Sequence, residues 1–171
     1  MHPFQTVFQF LLQLRISSFN EELTMIKHED FKAYLTGIAS MDFEHWHLLK
    51  QLERAYQANS FDDVKSKVDG FIDAWQLHHE HEDQLMQDIK FPEAKSHIEG
   101  HSRLYEIYKR LSNDVTTGGG TLSSAKAYVD MVGQLVCDHI KQFDSQYAEW
   151  ALLHCTPEEI ERLGVGQLPI F

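Results

Sequence analysis

A chain of 171 residues and 19.9 kDa is long enough to bury a core and short enough to be one domain with appendages. Its formal net charge of −11 argues against nucleic acid or an anionic membrane as a partner, and no apolar run approaches the ~18 residues of a membrane span. Two cysteines make no disulfide framework and fit a cytoplasmic protein, whereas 11 histidines are an excess that asks for a chemical reason.

Residues 1–37 are read as an N-terminal extension. In its first part Phe4, Val7, Phe8, Leu11 and Leu14 follow helical spacing, which predicts an amphipathic helix. A basic leader and a small-residue cleavage site are both missing, so it is not read as a signal peptide. The expectations for it are an extra docking helix or sequence upstream of a start at Met25, and otherwise a helix that binds a protein partner or a membrane surface. The single Arg15 weakens a role on a membrane surface. Residues 21–39, with Gly37, are a mixed lead-in.

The first long helix is expected after Ser40 as cap, with Asp42 and Glu44 suited to its positive N-terminal end. Its inner stripe is Ile38, Asp42, His45, Leu49, Leu52 and Tyr56. His45 is thereby inside, and His47 falls about 200° around the helix. Ser60 and Asp63 resemble a capping box that opens the second helix. There the stripe is Phe71, Trp75, His78, Glu82, Leu85 and Ile89, with His79, His81 and Asp83 off it. This helix ends near Lys90, and Pro92 suits the first turn of the next.

The third stripe is Ala94, His97, His101, Leu104, Tyr108 and Leu111, again in steps of three and four. Residues 113–120, NDVTTGGG, are read as a break. Thr121 or Ser123 can cap the fourth helix, whose stripe is Tyr128, Val132, Leu135 and His139. Asp144 comes five residues later, about 140° around an ideal helix, so it reaches the position of His139 only through a local distortion. Cys137 is expected on the outer face. Thr156-Pro157-Glu158-Glu159 starts a short tail helix that Gly164 can stop.

The predicted fold is all-α: an antiparallel up-down-up-down four-helix bundle over residues 38–150, with a C-terminal tail, 151–171, carrying the short helix. Each long helix contributes histidine to its inner stripe: His45; His78; His97 and His101; His139. Glu82 and Asp144 accompany them, with no lysine or arginine in the stripes to neutralise the acids. A single such histidine is an ordinary core residue, but the set is costly to bury without cations. Five imidazoles and two carboxylates exceed what one ion can use and suit two. Imidazole with carboxylate and no thiolate fits iron, manganese or zinc. The alternative within HHEHED is a surface tract that scavenges metal through His79 and Asp83. Only one Glu-x-x-His, Glu44 to His47, is present, which disfavours a ferritin-like carboxylate bundle.

Asp42-x-x-His45-x-x-Leu48, then His78-x-x-x-Glu82-Asp83-x-Leu85-Met86, then Phe91-Pro92 with His97-x-x-x-His101, then His139-Ile140-x-x-x-Asp144, resembles the hemerythrin family. The resemblance covers roughly residues 38–150. It implies a non-haem di-iron centre, oxo- or hydroxo-bridged, that binds O2 reversibly. His97, His101 and His139 would bind one iron, His45 and His78 the other, and Glu82 and Asp144 would bridge. The second iron would be five-coordinate and would hold O2 as a hydroperoxide, within a dry apolar lining. The expected role is oxygen carriage, storage or local delivery by a chain that is not an enzyme. The rivals are a sensing module and a di-iron peroxidase or nitric-oxide-handling enzyme; a monomer is favoured. Many members of the family carry tryptophan-leucine where this chain has Leu135-Val136, which implies a more accessible pocket and faster autoxidation.

Overall fold

The computed structural model describes residues 30–117 and 120–163. Described residues are helical or in short connections, without a strand. A 3-10 turn at Asp30–Tyr34 precedes four long segments: α1 (Ala39–Gln57), α2 (Phe61–Asp88), α3 (Ala94–Thr117) and α4 (Leu122–His139). A π-helical turn, Ile140–Asp144, joins α4 to α5 (Ser145–His154), and α6 (Pro157–Leu163) follows. No described helix is long and apolar enough to cross a membrane. The amphipathic stretch near the N-terminus and Gly164 lie outside the described residues.

Several helix boundaries follow from side-chain chemistry near the ends. Ser60 Oγ accepts the Asp63 amide at the start of α2. Thr121 and Ser124 cap α4 reciprocally, and Thr156 and Glu159 do so for α6. Other boundaries depart from expectation. Ser40 does not cap α1: the helix begins at Ala39 after Ile38, which gives no side-chain cap. Asp42 instead turns back on the preceding loop, where Oδ1 accepts from the Thr36 amide and hydroxyl and Oδ2 from the Gly37 amide. Gly37 stands at φ +87°, so its freedom sets the sharp entry into α1. Pro92 precedes α3 rather than opening it, because α2 ends in a Schellman motif. Phe91 N donates to Met86 O and Lys90 N to Gln87 O, with Lys90 left-handed at φ 56°. The break expected from residue 113 onward begins later, since α3 runs to Thr117.

The inner faces meet in two apolar clusters. The larger joins Leu48, Leu52, Val68, Phe71, Trp75, Tyr108, Val129, Val132 and Val136. The smaller joins Ile38, Met41, Leu85, Met86, Phe91 and Tyr147. The inward register of α1 lies closer to Met41, His45, Leu48 and Leu52 than the stripe through Asp42 and Tyr56, both half-buried. On α4 Val136 is fully buried and Leu135 only partly. Cys137 is also buried, at 2 % exposure, and not on the outer face; burial pushes its thiol up to about 11. A whole stripe of small side chains (Val129, Val132, Gly133, Val136) lets α4 sink deep enough to enclose the thiol beside it.

Candidate metal centre

Between the two apolar clusters lies a layer that is almost entirely polar. His45, His78, Glu82, His97, His101, His139 and Asp144 are all buried, each at 6 % exposure or less. No lysine or arginine is buried with them among the described residues. The seven form two overlapping donor groups. One is Glu82, His97, His101, His139 and Asp144; the other is His45, His78, Glu82 and Asp144. Within each, one ligand atom from every residue lies within 4.8 Å of all the others. Glu82 and Asp144 belong to both, so the structure brings all seven expected residues together, with the carboxylates between the two groups.

The contacts run from imidazole to acid across helices. His97 Nε2 and His139 Nε2 lie 3.2 and 3.0 Å from Asp144 Oδ1, and His45 Nε2 lies 3.3 Å from Asp144 Oδ2. Glu82 Oε2 lies 3.4 Å from both His78 Nε2 and His101 Nε2, and Glu82 Oε1 lies 3.6 Å from His45 Nε2. His101 Nε2 and His139 Nε2 approach to 3.1 Å.

The α4–α5 junction solves the spacing problem of Asp144. The Ser145 amide donates to Ile140 O, a bond spanning five residues in place of four. The wider turn returns Asp144 to the face of His139, which a regular α-helix cannot do over five residues. The resulting 3.0 Å contact is the distortion the sequence required.

Around this layer a second set of side chains aims the imidazoles. Glu44 Oε2 accepts from His78 Nδ1 at 2.9 Å, while its Oε1 accepts from His81 Nδ1 at 3.0 Å. Asp83 Oδ1 accepts from His101 Nδ1 at 2.7 Å. A carboxylate at Nδ1 fixes the tautomer that leaves the Nε2 lone pair facing the other donors. The Tyr147 hydroxyl donates to Glu82 Oε1. Glu44, assigned from sequence to the helix terminus, is 1 % exposed and belongs to this layer. The missed signal is its spacing: Met41, Glu44, Leu48 and Ala55 share the face that carries His45.

His79 corrects a second expectation. It is 5 % exposed, not set away from the core, and its ring stacks on His101 at 3.7 Å with 5° between the planes. Helix α2 is enclosed widely enough here to bury two successive histidines. Asp83, by contrast, remains partly exposed, its side chain at 27 %. The burial of His78, His79 and Glu82 excludes a surface tract as the description of HHEHED.

Electrostatics describe a cage that demands positive charge. Burial pushes the His45 imidazole down, but Asp144 and Glu82 outweigh it and raise it to about 10. Burial likewise opposes the charge on His101, yet Asp83 and Glu82 lift it to about 9. Glu82 is raised by burial and by Asp144, and still ends well below the usual carboxylate range because His78, His101 and His45 surround it. Asp144 follows the same pattern with His139, His45 and His97. His79 is driven down by burial and by the neighbouring imidazoles, which outweigh the opposing pull of Glu82. Burial and both acids keep the Tyr147 phenol protonated.

Several inward atoms of the layer make no well-aligned hydrogen bond with described residues: His45 Nε2, His78 Nε2, His97 Nε2, Glu82 Oε2 and both Asp144 oxygens. Buried lone pairs left unpaired are costly, and here they converge from four segments of chain. Divalent cations fit this donor set, which offers imidazole nitrogen and carboxylate oxygen and no thiolate.

A family model, the hemerythrin HHE cation-binding domain, matches residues 36–151. No curated protein matches the chain. The matched span contains all seven converging side chains and the four helices that carry them, and the chain therefore belongs to the hemerythrin family.

Proposed function

We propose that the protein binds dioxygen reversibly at a pair of iron ions held by these seven residues, and that its role is to carry, store or deliver the gas. The observation that carries this reading is the inequality of the two donor groups. One offers five residues and the other four, and both share the same two carboxylates. His97, His101 and His139 would hold one ion, His45 and His78 the second, with Glu82 and Asp144 spanning both. The ion with fewer protein donors is the one with room for an outside ligand. When bound, such a pair supplies the two electrons that reversible dioxygen binding exchanges.

The chain's own contribution is positioning and enclosure. Glu44 and Asp83 hold His78 and His101 in the tautomer that presents Nε2 inward. Tyr147 steadies Glu82 from the side of the smaller apolar cluster. Trp75, fully buried between His78 and His139, walls the other side against water.

Iron analysis combined with visible spectroscopy through cycles of anaerobic reduction and air tests the proposal. The expected result is an iron pair per chain and an absorption band that appears with oxygen and disappears on its removal. Lack of an iron pair, or a band that does not reverse, overturns it. The rival is an enzyme that consumes peroxide or nitric oxide at the same centre. Stopped-flow mixing separates the two: sustained turnover of either reagent assigns the enzyme.

A further inference from the structure

Beneath the seven converging residues, toward the larger apolar cluster, lies a shelf of Trp75, His79 and Tyr108. Trp75 lies 4.5 Å from His79 and 5.7 Å from Tyr108, ring to ring. All three are buried, at 0, 5 and 0 % exposure. Each carries a polar atom, Trp75 Nε1, His79 Nε2 and Tyr108 Oη, that meets no hydrogen-bond partner among the described residues. Phenylalanine would fill the positions of His79 and Tyr108 without a stranded polar atom, so the shelf departs from what packing alone requires.

His79 is the member that touches the centre. Its ring stacks on His101 at 3.7 Å and lies 5.8 Å from both His78 and His139. It therefore borders the five-residue group through His101 and His139 and the four-residue group through His78. It is not a member of either donor group.

We infer that His79 is a binding residue for the small ligand taken up at the centre, donating a hydrogen bond from its ring to an electron-rich atom of that ligand. The ligand class is a small hydrogen-bond acceptor, anionic or made electron-rich by the metal pair. The inference deepens the dioxygen-binding reading and rests on it. It also gives the site a polar wall where the family resemblance implied an apolar one.

Azide, a small anion, is the probe. Oxidised, iron-loaded protein is titrated with azide and followed by visible absorption, for the native chain, His79→Phe and His79→Gln. Iron content of each is measured in parallel. The expected result is unchanged iron content in all three. Azide affinity should fall about tenfold in His79→Phe, the loss of one hydrogen bond to a charged ligand, and recover most of that in His79→Gln. Equal azide affinity in the native chain and His79→Phe overturns the role of His79 while leaving the metal pair intact. A native chain without an iron pair overturns the dioxygen reading and this inference together. A His79→Phe chain that loses iron while His79→Gln keeps it makes His79 part of the metal scaffold and overturns the inference as well.

Discussion

At the scale of single residues, the centre depends on groups outside the seven converging side chains. Glu44 and Asp83 play the same part: each accepts from the Nδ1 of one inward histidine, at 2.9 and 2.7 Å. They serve different donor groups, because His78 belongs to the four-residue set and His101 to the five-residue set. Glu44→Gln and Asp83→Asn keep the shape and remove the charge that holds the tautomer. Each should weaken metal binding about 10- to 100-fold. The loss should be selective, Glu44→Gln loosening the ion at His45 and His78, and Asp83→Asn the ion at His97, His101 and His139. Chelator competition with metal counting checks this; a single-phase loss of both ions in each variant would argue that the two positions do not act separately. Glu44 was not legible as a member of the centre from sequence. An acid in the first turns of a helix has a sufficient reason to be there in the helix dipole. Only the three-dimensional approach of α2 reveals the second reason. His79 was hidden for a related purpose-independent cause: a helical stripe is drawn one side chain wide, whereas α2 is enclosed across two adjacent positions.

Elements show the same division between local and tertiary information. Helix starts with reciprocal side-chain caps, at Thr121 and Thr156, were readable because donor and acceptor sit three residues apart in the chain. The start of α1 was not, because Asp42 spends its carboxylate on Thr36 and Gly37 instead of on the helix. The end of α3 is not legible locally because Asn113 to Thr117 are poor helix formers individually, yet the helix continues through them. The five-residue step from His139 to Asp144 carried the clearest demand, and the π turn answers it. The Schellman end of α2 gives a prediction at this scale. Lys90 occupies a left-handed backbone at φ 56°, where a Cβ is strained and glycine is not. Lys90 is exposed, so little packing is lost on substitution. Lys90→Gly should stabilise the fold by roughly 0.5–1 kcal/mol, the relief of strain exceeding the added freedom of the unfolded chain. Thermal unfolding of metal-free protein measures it; a lowered midpoint would show that the lysine side chain contributes more than the strain costs.

Across the whole molecule, the bundle places a charged layer between two apolar clusters, and that arrangement links folding to protons and to metal. In metal-free protein the acids Glu82 and Asp144 are satisfied by imidazolium. His45 and His101, raised to about 10 and about 9 from an ordinary 6.5, bind protons more tightly folded than unfolded. Their stabilisation is full below pH 6.5 and is lost as the pH rises through 9 and 10. Glu82 and Asp144 are depressed below ordinary values of 4.5 and 3.8, so their contribution is present above those values and is lost as the pH falls. His79, held below 6.5, opposes folding as the pH falls under that value, so metal-free protein should be most stable near pH 6.5 and should weaken on the alkaline side through His45 and His101. Metal bound by these donors would replace the protons as the source of positive charge and would require the imidazoles to be neutral, so metal uptake should release protons. The alkaline decline should then vanish from the loaded protein, whose weakness moves to the acid side, where protons compete for the donors. Urea unfolding from pH 5 to 10, with metal and with chelator, tests this. Parallel profiles for the two forms would mean that protons and metal do not exchange places in the layer, and that the seven side chains are held together by something other than the charge they enclose.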